Sequence, residues 1–134
     1  MKANELRIGN YVNYEQTTHL ITCINIDYSI SLWVDKRGEE HLYQHQNNEL
    51  KPIPLTEEWL LKFGFKHSNK DWYELNDTNI YEGTLNICLK QKCSTLTCMS
   101  GKNELMLCKP FDYVHQLQNL YFALTGEELT TKLK

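Results

Sequence analysis

The sequence predicts a single small α+β domain, and three observations lead to this prediction. Short runs rich in β-branched and aromatic residues recur between turn residues, as in antiparallel strands. Two stretches with helical spacing each follow such a region, and both end at a glycine. The chain has 134 residues, of which 41% are hydrophobic and 23% charged, and this balance suits one globular core.

Residues 1–50 form the first β region, with four or five short strand patterns. The turn pair Gly9-Asn10 leads into residues 11–14, and an alternating pattern follows from residue 19 to residue 26. That alternation predicts one buried face, made of Leu20, Thr22, Ile24 and Ile26. Further strands are predicted at 30–34 and 40–43, joined by a hairpin-like loop at Lys36-Arg37-Gly38. Brief turns between short strands predict a small curved sheet, for which an SH3-like barrel is one form.

Residues 51–65 predict a short helix that follows a proline-rich break. Pro52 and Pro54 end the strand pattern, because proline cannot donate a hydrogen bond to a sheet. Thr56 is the predicted N-cap, and Trp59 and Phe63 belong to the apolar stripe. Gly64 is predicted to take the left-handed position after the helix, so that the next residue, Phe65, folds back on Leu60.

Residues 72–108 predict a second β region, an antiparallel meander with a hairpin at residues 100–103. Residues 112–126 then predict an amphipathic C-terminal helix with Asp112 as N-cap and Gly126 as its stop. Its inner stripe is predicted to consist of Val114, Leu117, Leu120, Tyr121 and Leu124. The tail after Leu129 is predicted to be frayed.

Charge and hydropathy limit the classes of partner that we expect for the chain. The net charge is −3, whereas domains dedicated to nucleic acid usually carry a basic surplus. The N-terminus lacks the apolar region of a signal peptide, and no apolar stretch has the length of a membrane span. Five cysteines, an odd number, fit a reducing compartment. We therefore expect a cytoplasmic protein with no membrane partner.

No catalytic or cofactor motif is present, so we expect no cofactor, and enzyme activity has no motif in its support. Cys88, Cys93 and Cys98 recur every five residues, a spacing that differs from the close cysteine pairs of zinc sites and predicts buried free thiols. Imidazoles suit zinc, but His19, His41 and His45 lack an acidic or cysteine partner at a diagnostic spacing. We interpret these histidines as structural.

One side of the C-terminal helix is not explained by core packing. At 100° per residue, Phe122 projects about 150° from the centre of the leucine stripe. It shares this outer side with His115, Gln118 and Asn119. Either another part of the chain covers Phe122, or these four residues contact a protein partner or a second copy of the chain.

The second hypothesis is nucleic-acid binding by the N-terminal sheet. Aromatic side chains on a curved sheet can stack on bases, and the candidates are Tyr11, Tyr14, Tyr28 and Trp33. The net charge disfavours this hypothesis. A weaker third hypothesis is an enzyme whose site is assembled from distant residues.

Three stretches of the sequence, about a third of the chain, carry a resemblance to a known family. They are KANELRIGN at 2–10, PIPLTEEWLLKFGF at 52–65 and VHQLQNLYFALTGEEL at 114–129. The chain resembles a family of small uncharacterised proteins encoded by gut Bacteroidales and by their prophages and mobile elements. The resemblance implies a bacterial cytoplasm and a phage-derived gene, and it carries over no activity and no functional residue.

Overall fold

A computed structural model of the chain describes residues 5–24, 30–36, 39–45, 50–76, 84–90, 94–100, 103–106 and 110–132. Within these ranges lie nine strands and two helices. In chain order they are β1 (Tyr11–Tyr14), β2 (Thr17–Ile24), β3 (Ile30–Lys36), β4 (Glu39–His45), α1 (Glu57–Lys62), β5 (Lys66–Asn69), β6 (Trp72–Asn76), β7 (Thr84–Cys88), β8 (Thr95–Ser100), β9 (Asn103–Met106) and α2 (Val114–Thr125). Neither helix in the described ranges is long and apolar enough to cross a membrane.

The strands form two antiparallel meanders, with the orders β1-β2-β3-β4 and β5-β6-β7-β8-β9. Each strand thus pairs with its neighbour in the sequence, as short turns favour. The predicted α+β class is confirmed, and so are the hairpins, in which Lys36 pairs with Glu39 and Ser100 with Asn103. In the described ranges β1 and β4 are not paired, so the first sheet is open and the predicted SH3-like barrel is wrong.

The chain divides into two compact units. Unit 1 comprises Met1–Ile53 and Tyr113–Asn119, and unit 2 comprises Pro54–Asp112 and Leu120–Lys134. The first turns of α2 therefore belong to unit 1 and its later turns to unit 2. Each unit is described below by itself.

The core of unit 1 corrects the predicted face of β2. Its buried cluster consists of Leu6, Val12, Ile21 and Leu50, with Tyr14 and Ile24 packed against it. Ile21 is fully buried, whereas Leu20, predicted to lie inside, is 42% exposed. The pairing with β3 shifts register between Ile21 and Cys23, which lets Ile21 and Ile24 reach the same core despite their odd spacing.

In unit 2, the helix α1 ends as the sequence predicts. The N–H of Gly64 donates to the carbonyl of Leu61, and the N–H of Phe65 donates to the carbonyl of Leu60, each at 3.0 Å. With a φ of +93° at Gly64, this is the Schellman arrangement. Leu60 and Phe65 are both buried, so the turn stabilises the end of the helix through apolar burial as well as through backbone hydrogen bonds. Thr56 occupies the N-cap position, but its side chain makes no capping hydrogen bond.

The strand β5 was not predicted. All four of its residues, Lys66–Asn69, are exposed, and none is a large apolar residue. It pairs only with β6, at the edge of the second sheet. A strand that buries neither face shows no alternation of apolar and polar residues in the sequence. Charged residues on an edge strand commonly protect it from pairing with another chain.

The helix α2 stops before Gly126, which has a positive φ, as predicted, but its start and the tail after it differ from the prediction. The helix begins at Val114, and Tyr113 rather than Asp112 occupies the N-cap position. Gln116 Oε1 accepts the backbone N–H of Tyr113 at 3.1 Å, the reciprocal half of a capping box. The predicted fraying after Leu129 is wrong for residues 130–132. Leu129 is buried, and the N–H of Lys132 donates to the carbonyl of Lys62 at 2.7 Å.

We expect Gly64→Ala to lower the free energy of unfolding by about 1–2 kcal/mol, because alanine disfavours the left-handed conformation. Gly126→Ala is the matched control: Gly126 also has a positive φ, +76°, but an added Cβ there meets nothing within 4 Å. At Gly64 the added Cβ meets the flexible end of the Lys132 side chain, which can move, but Gly64 also holds the turn that buries Leu60 and Phe65, so this variant should lose more stability. Denaturant unfolding measures both, and an equal or smaller loss at Gly64 contradicts the prediction.

Candidate functional site

The predicted partner-binding side of α2 is largely buried in unit 1. His115 is 1% exposed, Gln118 is 0% exposed and Asn119 is half-buried. Of the four predicted residues, only Phe122 is exposed, at 37%. The helix also leaves Leu124 of the predicted inner stripe 41% exposed. The predicted inner stripe is confirmed for its buried members Val114, Leu117 and Tyr121 and is wrong for Leu124. The predicted outer side is wrong for His115 and Gln118, and the residues that bind this side of the helix explain why.

Gln118 binds the main chain at the start of the first sheet. Its Oε1 accepts the N–H of Tyr11 at 2.9 Å, and its Nε2 donates to the carbonyl of Gly9 at 2.9 Å. One neutral amide thus forms hydrogen bonds with a backbone donor and a backbone acceptor. These bonds offset the free energy lost when the amide is removed from water. These contacts join residues more than a hundred positions apart in the sequence.

Asn119 and Asn10 extend this network. Asn119 Nδ2 donates to the carbonyl of Glu5 at 2.7 Å, and Asn10 Nδ2 donates to Asn119 Oδ1 at 3.0 Å. Asn10 Oδ1 in turn accepts the N–H of Arg7 at 2.7 Å, which closes the loop of residues 7–10. We call the three side chains of Asn10, Gln118 and Asn119 the amide clamp. It holds residues 5–11 on the first turns of α2.

His115 lies beside the amide clamp without a hydrogen bond of its own. In the part of the chain that the structure describes, neither its Nδ1 nor its Nε2 has a partner. The ring stacks on Tyr113, with ring centroids 5.9 Å apart and an interplanar angle of 13°. Burial lowers the pKa of His115 below its usual value, although the carboxylate of Glu5 acts in the opposite direction. The neutral imidazole is therefore the form that this site favours.

The last turn of α2 presents apolar side chains to solvent. Phe122, Ala123 and Leu124 are all exposed. The twelve residues of α2 include no aspartate, glutamate, lysine or arginine. Phe122 and Leu124 lie two residues apart and so project about 160° from each other. The exposed surface therefore wraps around the helix end, and we call Phe122, Ala123 and Leu124 the terminal turn.

A cavity of about 370 Å³ lies next to this turn in unit 2. Buried apolar side chains form part of its wall: Phe63, Leu75, Tyr121 and Leu129. The described lining of the cavity also includes Asn76, Thr130 and the charged residues Glu127, Glu128 and Lys132. The tail reaches this position because Gly126 takes a positive φ and Thr125 Oγ1 accepts the N–H of Glu127 at 3.1 Å. The volume is at the lower end of the range of small-molecule or side-chain sites, about 300–1,000 Å³.

The candidates for base stacking do not come together as one described platform. Tyr11 and Tyr14 are both half-buried and lie three positions apart on β1, so their side chains point to opposite faces. Tyr14 packs against the core of unit 1. Tyr28 lies outside the described residues, and Trp33 lies on β3, where the structure describes only the backbone.

Of the cysteines and histidines considered in the sequence, too, only some lie within the described part of the chain. Cys88 is a buried free thiol, and Cys23 is half-buried. Cys93 lies outside the described residues, as do the side chains of Cys98, His41 and His45. His19 contacts Tyr14, at 6.1 Å between ring centroids. Among the residues searched, those the structure describes, no three histidine, cysteine, aspartate or glutamate side chains form a group that could hold a metal ion.

We expect Gln118→Ala to lower the free energy of unfolding by about 2–4 kcal/mol, because the N–H of Tyr11 and the carbonyl of Gly9 would each lose a hydrogen bond in a part-buried position. Gln116→Ala is the matched control on the same helix. Gln116 is half-buried and caps the N–H of Tyr113, so about 1 kcal/mol is expected there. Urea denaturation measures both losses. A change within about 0.5 kcal/mol for Gln118→Ala would mean that Gln118 behaves as a surface residue.

Comparisons with known proteins give no relative from which a role could be transferred. No protein-family model, curated protein or solved structure matches the chain. The functional assignment therefore depends on the side chains described above.

Proposed function

We propose that this chain is a non-enzymatic protein-interaction module that contacts its partner through the terminal turn of α2. The supporting observation is a twelve-residue helix without a charged residue whose last turn exposes Phe122, Ala123 and Leu124. A solvated helix face usually carries charged residues, whereas the centre of a protein interface is depleted of them and enriched in aromatic ones. Phe122 is the aromatic anchor in this proposal.

The charges around the terminal turn define the chemistry of the partner. Glu127 and Glu128 follow the turn after Thr125 and Gly126; both are exposed, and both line the adjacent cavity. Among the described residues of that lining, Lys132 is the cation. A partner segment with an apolar anchor flanked by lysine or arginine fits this surface, since complementary charges at the rim favour association.

The same charges argue against a symmetric homodimer through this turn. In a two-fold interface the same patch faces itself, so the Glu127 and Glu128 pairs of the two copies would approach each other. Like charges brought together across an interface disfavour association. We therefore propose a different protein as the partner, with self-association as the alternative outcome of the test.

We expect Phe122→Asp to abolish capture of the partner, because an aspartate adds charge where an apolar contact forms. The chain would be immobilised and exposed to lysate of a gut Bacteroidales host, the setting that the resemblance implies, with and without nuclease treatment. Leu61→Asp is the matched control: it places the same charge on an apolar residue of α1 that is 50% exposed. Circular dichroism and urea denaturation establish that each variant is folded.

The expected result is a protein band that survives nuclease, persists with Leu61→Asp and disappears with Phe122→Asp. Binding that nuclease removes would instead favour the nucleic-acid hypothesis, and a concentration-dependent dimer in light scattering would favour self-association. Equal capture by folded Phe122→Asp and wild-type chains would contradict the proposed surface. A captured protein without basic residues near its contact segment would contradict the proposed chemistry.

A further inference from the structure

We propose that His115 makes the attachment of residues 5–10 to α2 a pH-sensitive latch, closed when the imidazole is neutral and released when it is protonated. The latch lies entirely in unit 1 and consists of the amide clamp and the buried imidazole beside it. Release of residues 5–10 does not depend on the proposed function.

The environment of His115 favours a neutral ring. The side chain is 1% exposed, and both ring nitrogens lack a hydrogen-bond partner in the described part of the chain. A protonated imidazole carries two N–H donors and a full charge. Both donors would lack acceptors in the described part of the chain, and the carboxylate of Glu5 offsets the charge only in part. Burial therefore opposes protonation until the ring reaches water.

The charged groups that face His115 do not reverse this preference. The carboxylate of Glu5 favours the protonated ring, whereas the positive α-amino group of the chain opposes it. Burial is the largest influence, and the pKa of His115 is lowered. The ring of Tyr113 stacks on the imidazole.

His115 is linked to the clamp by its position on the helix. Gln118 and Asn119 follow it by three and four residues and so lie on the same side of α2. Gln118 binds Gly9 and Tyr11, and Asn119 binds Glu5 and Asn10. Residues 5–10 are therefore bonded to the helix side on which His115 is buried, and their departure is the local opening that gives the ring access to water.

The sign of the pH effect follows from the lowered pKa. The released state binds the proton with the ordinary affinity of histidine, and the closed state binds it more weakly. The stabilisation of the closed state is complete above the ordinary histidine pKa and is lost as the pH falls below it. Release would uncover the side chains of His115, Gln118 and Asn119 in unit 1 at acidic pH.

Amide hydrogen exchange measured by NMR tests the latch on the full chain. The N–H of Tyr11 reports opening, because its acceptor is Gln118 Oε1. The N–H of Phe65, bonded to Leu60 in unit 2, is the reference. Between pH 7.5 and 5.0 we expect the protection of Tyr11 to fall several-fold, with a limit of about thirtyfold set by an ordinary histidine pKa. Phe65 should change much less, after correction for intrinsic exchange rates.

His115→Leu should remove the pH dependence at Tyr11, since leucine cannot be protonated. His67→Asn is the matched control, because His67 is exposed and should leave the dependence intact. A fall of less than about twofold at Tyr11, or an equal fall at Phe65, would overturn the latch, the latter by showing global unfolding. If His115→Leu does not fold, direct NMR titration of the wild-type ring decides: titration below the ordinary range supports the latch, and titration at or above it overturns it.

Discussion

Unit 1 depends on the hydrogen bonds that Gln118 makes to Tyr11 and Gly9, because they satisfy backbone groups of a strand at the edge of its sheet. The strand β1 lies at the edge of its sheet, so its outward backbone groups need partners from outside the sheet. Gln118 accepts the N–H of Tyr11, and two residues further along, Asn13 exchanges backbone hydrogen bonds with Lys51. A neutral amide suits this task because it presents one donor and one acceptor without the desolvation cost of a charge. The first turns of α2 thus complete an edge strand as a neighbouring strand would.

This use of α2 accounts for its unusual distribution of side chains. Its first turns bury polar residues, among them His115 and Gln118, whereas its last turn exposes Phe122 and Leu124. A simple amphipathic helix would show the opposite arrangement, with polar residues outside and apolar residues inside along its whole length. The burial of Gln118 is explained by the backbone groups that it binds. The exposed apolar side chains offer the kind of surface that a protein contact uses, which is why we propose the terminal turn rather than the polar side.

The sequence predicts those parts of the fold whose causes are local. The end of α1 depends on Gly64 and Phe65, which are neighbours of the residues they cap, and the hairpin at residues 100–103 depends on its own turn. The burial of Gln118 depends on Gly9 and Tyr11, more than a hundred residues away, and periodicity alone assigns a glutamine to the solvent side. The face of β2 was missed because a register shift interrupts the alternation, and β5 because it buries neither face. The one long-range signal in the sequence is the absence of charge from α2, which marks a helix that is not simply solvated.

The amide clamp also suits a contact that opens and closes. Each of its hydrogen bonds contributes only about 0.5–1.5 kcal/mol net, because water replaces it when the contact opens. Four such bonds join residues 5–11 to α2, so their sum is of the same order as the roughly 2 kcal/mol that protonation of one histidine can supply at pH 5. The stability of a purely apolar contact of similar size would not respond to protonation. On release, such a contact would expose an apolar surface that favours association. Amide side chains, by contrast, are well hydrated in the open state. His115 therefore lies in the part of unit 1 where a single proton can decide between two states that are both compatible with water.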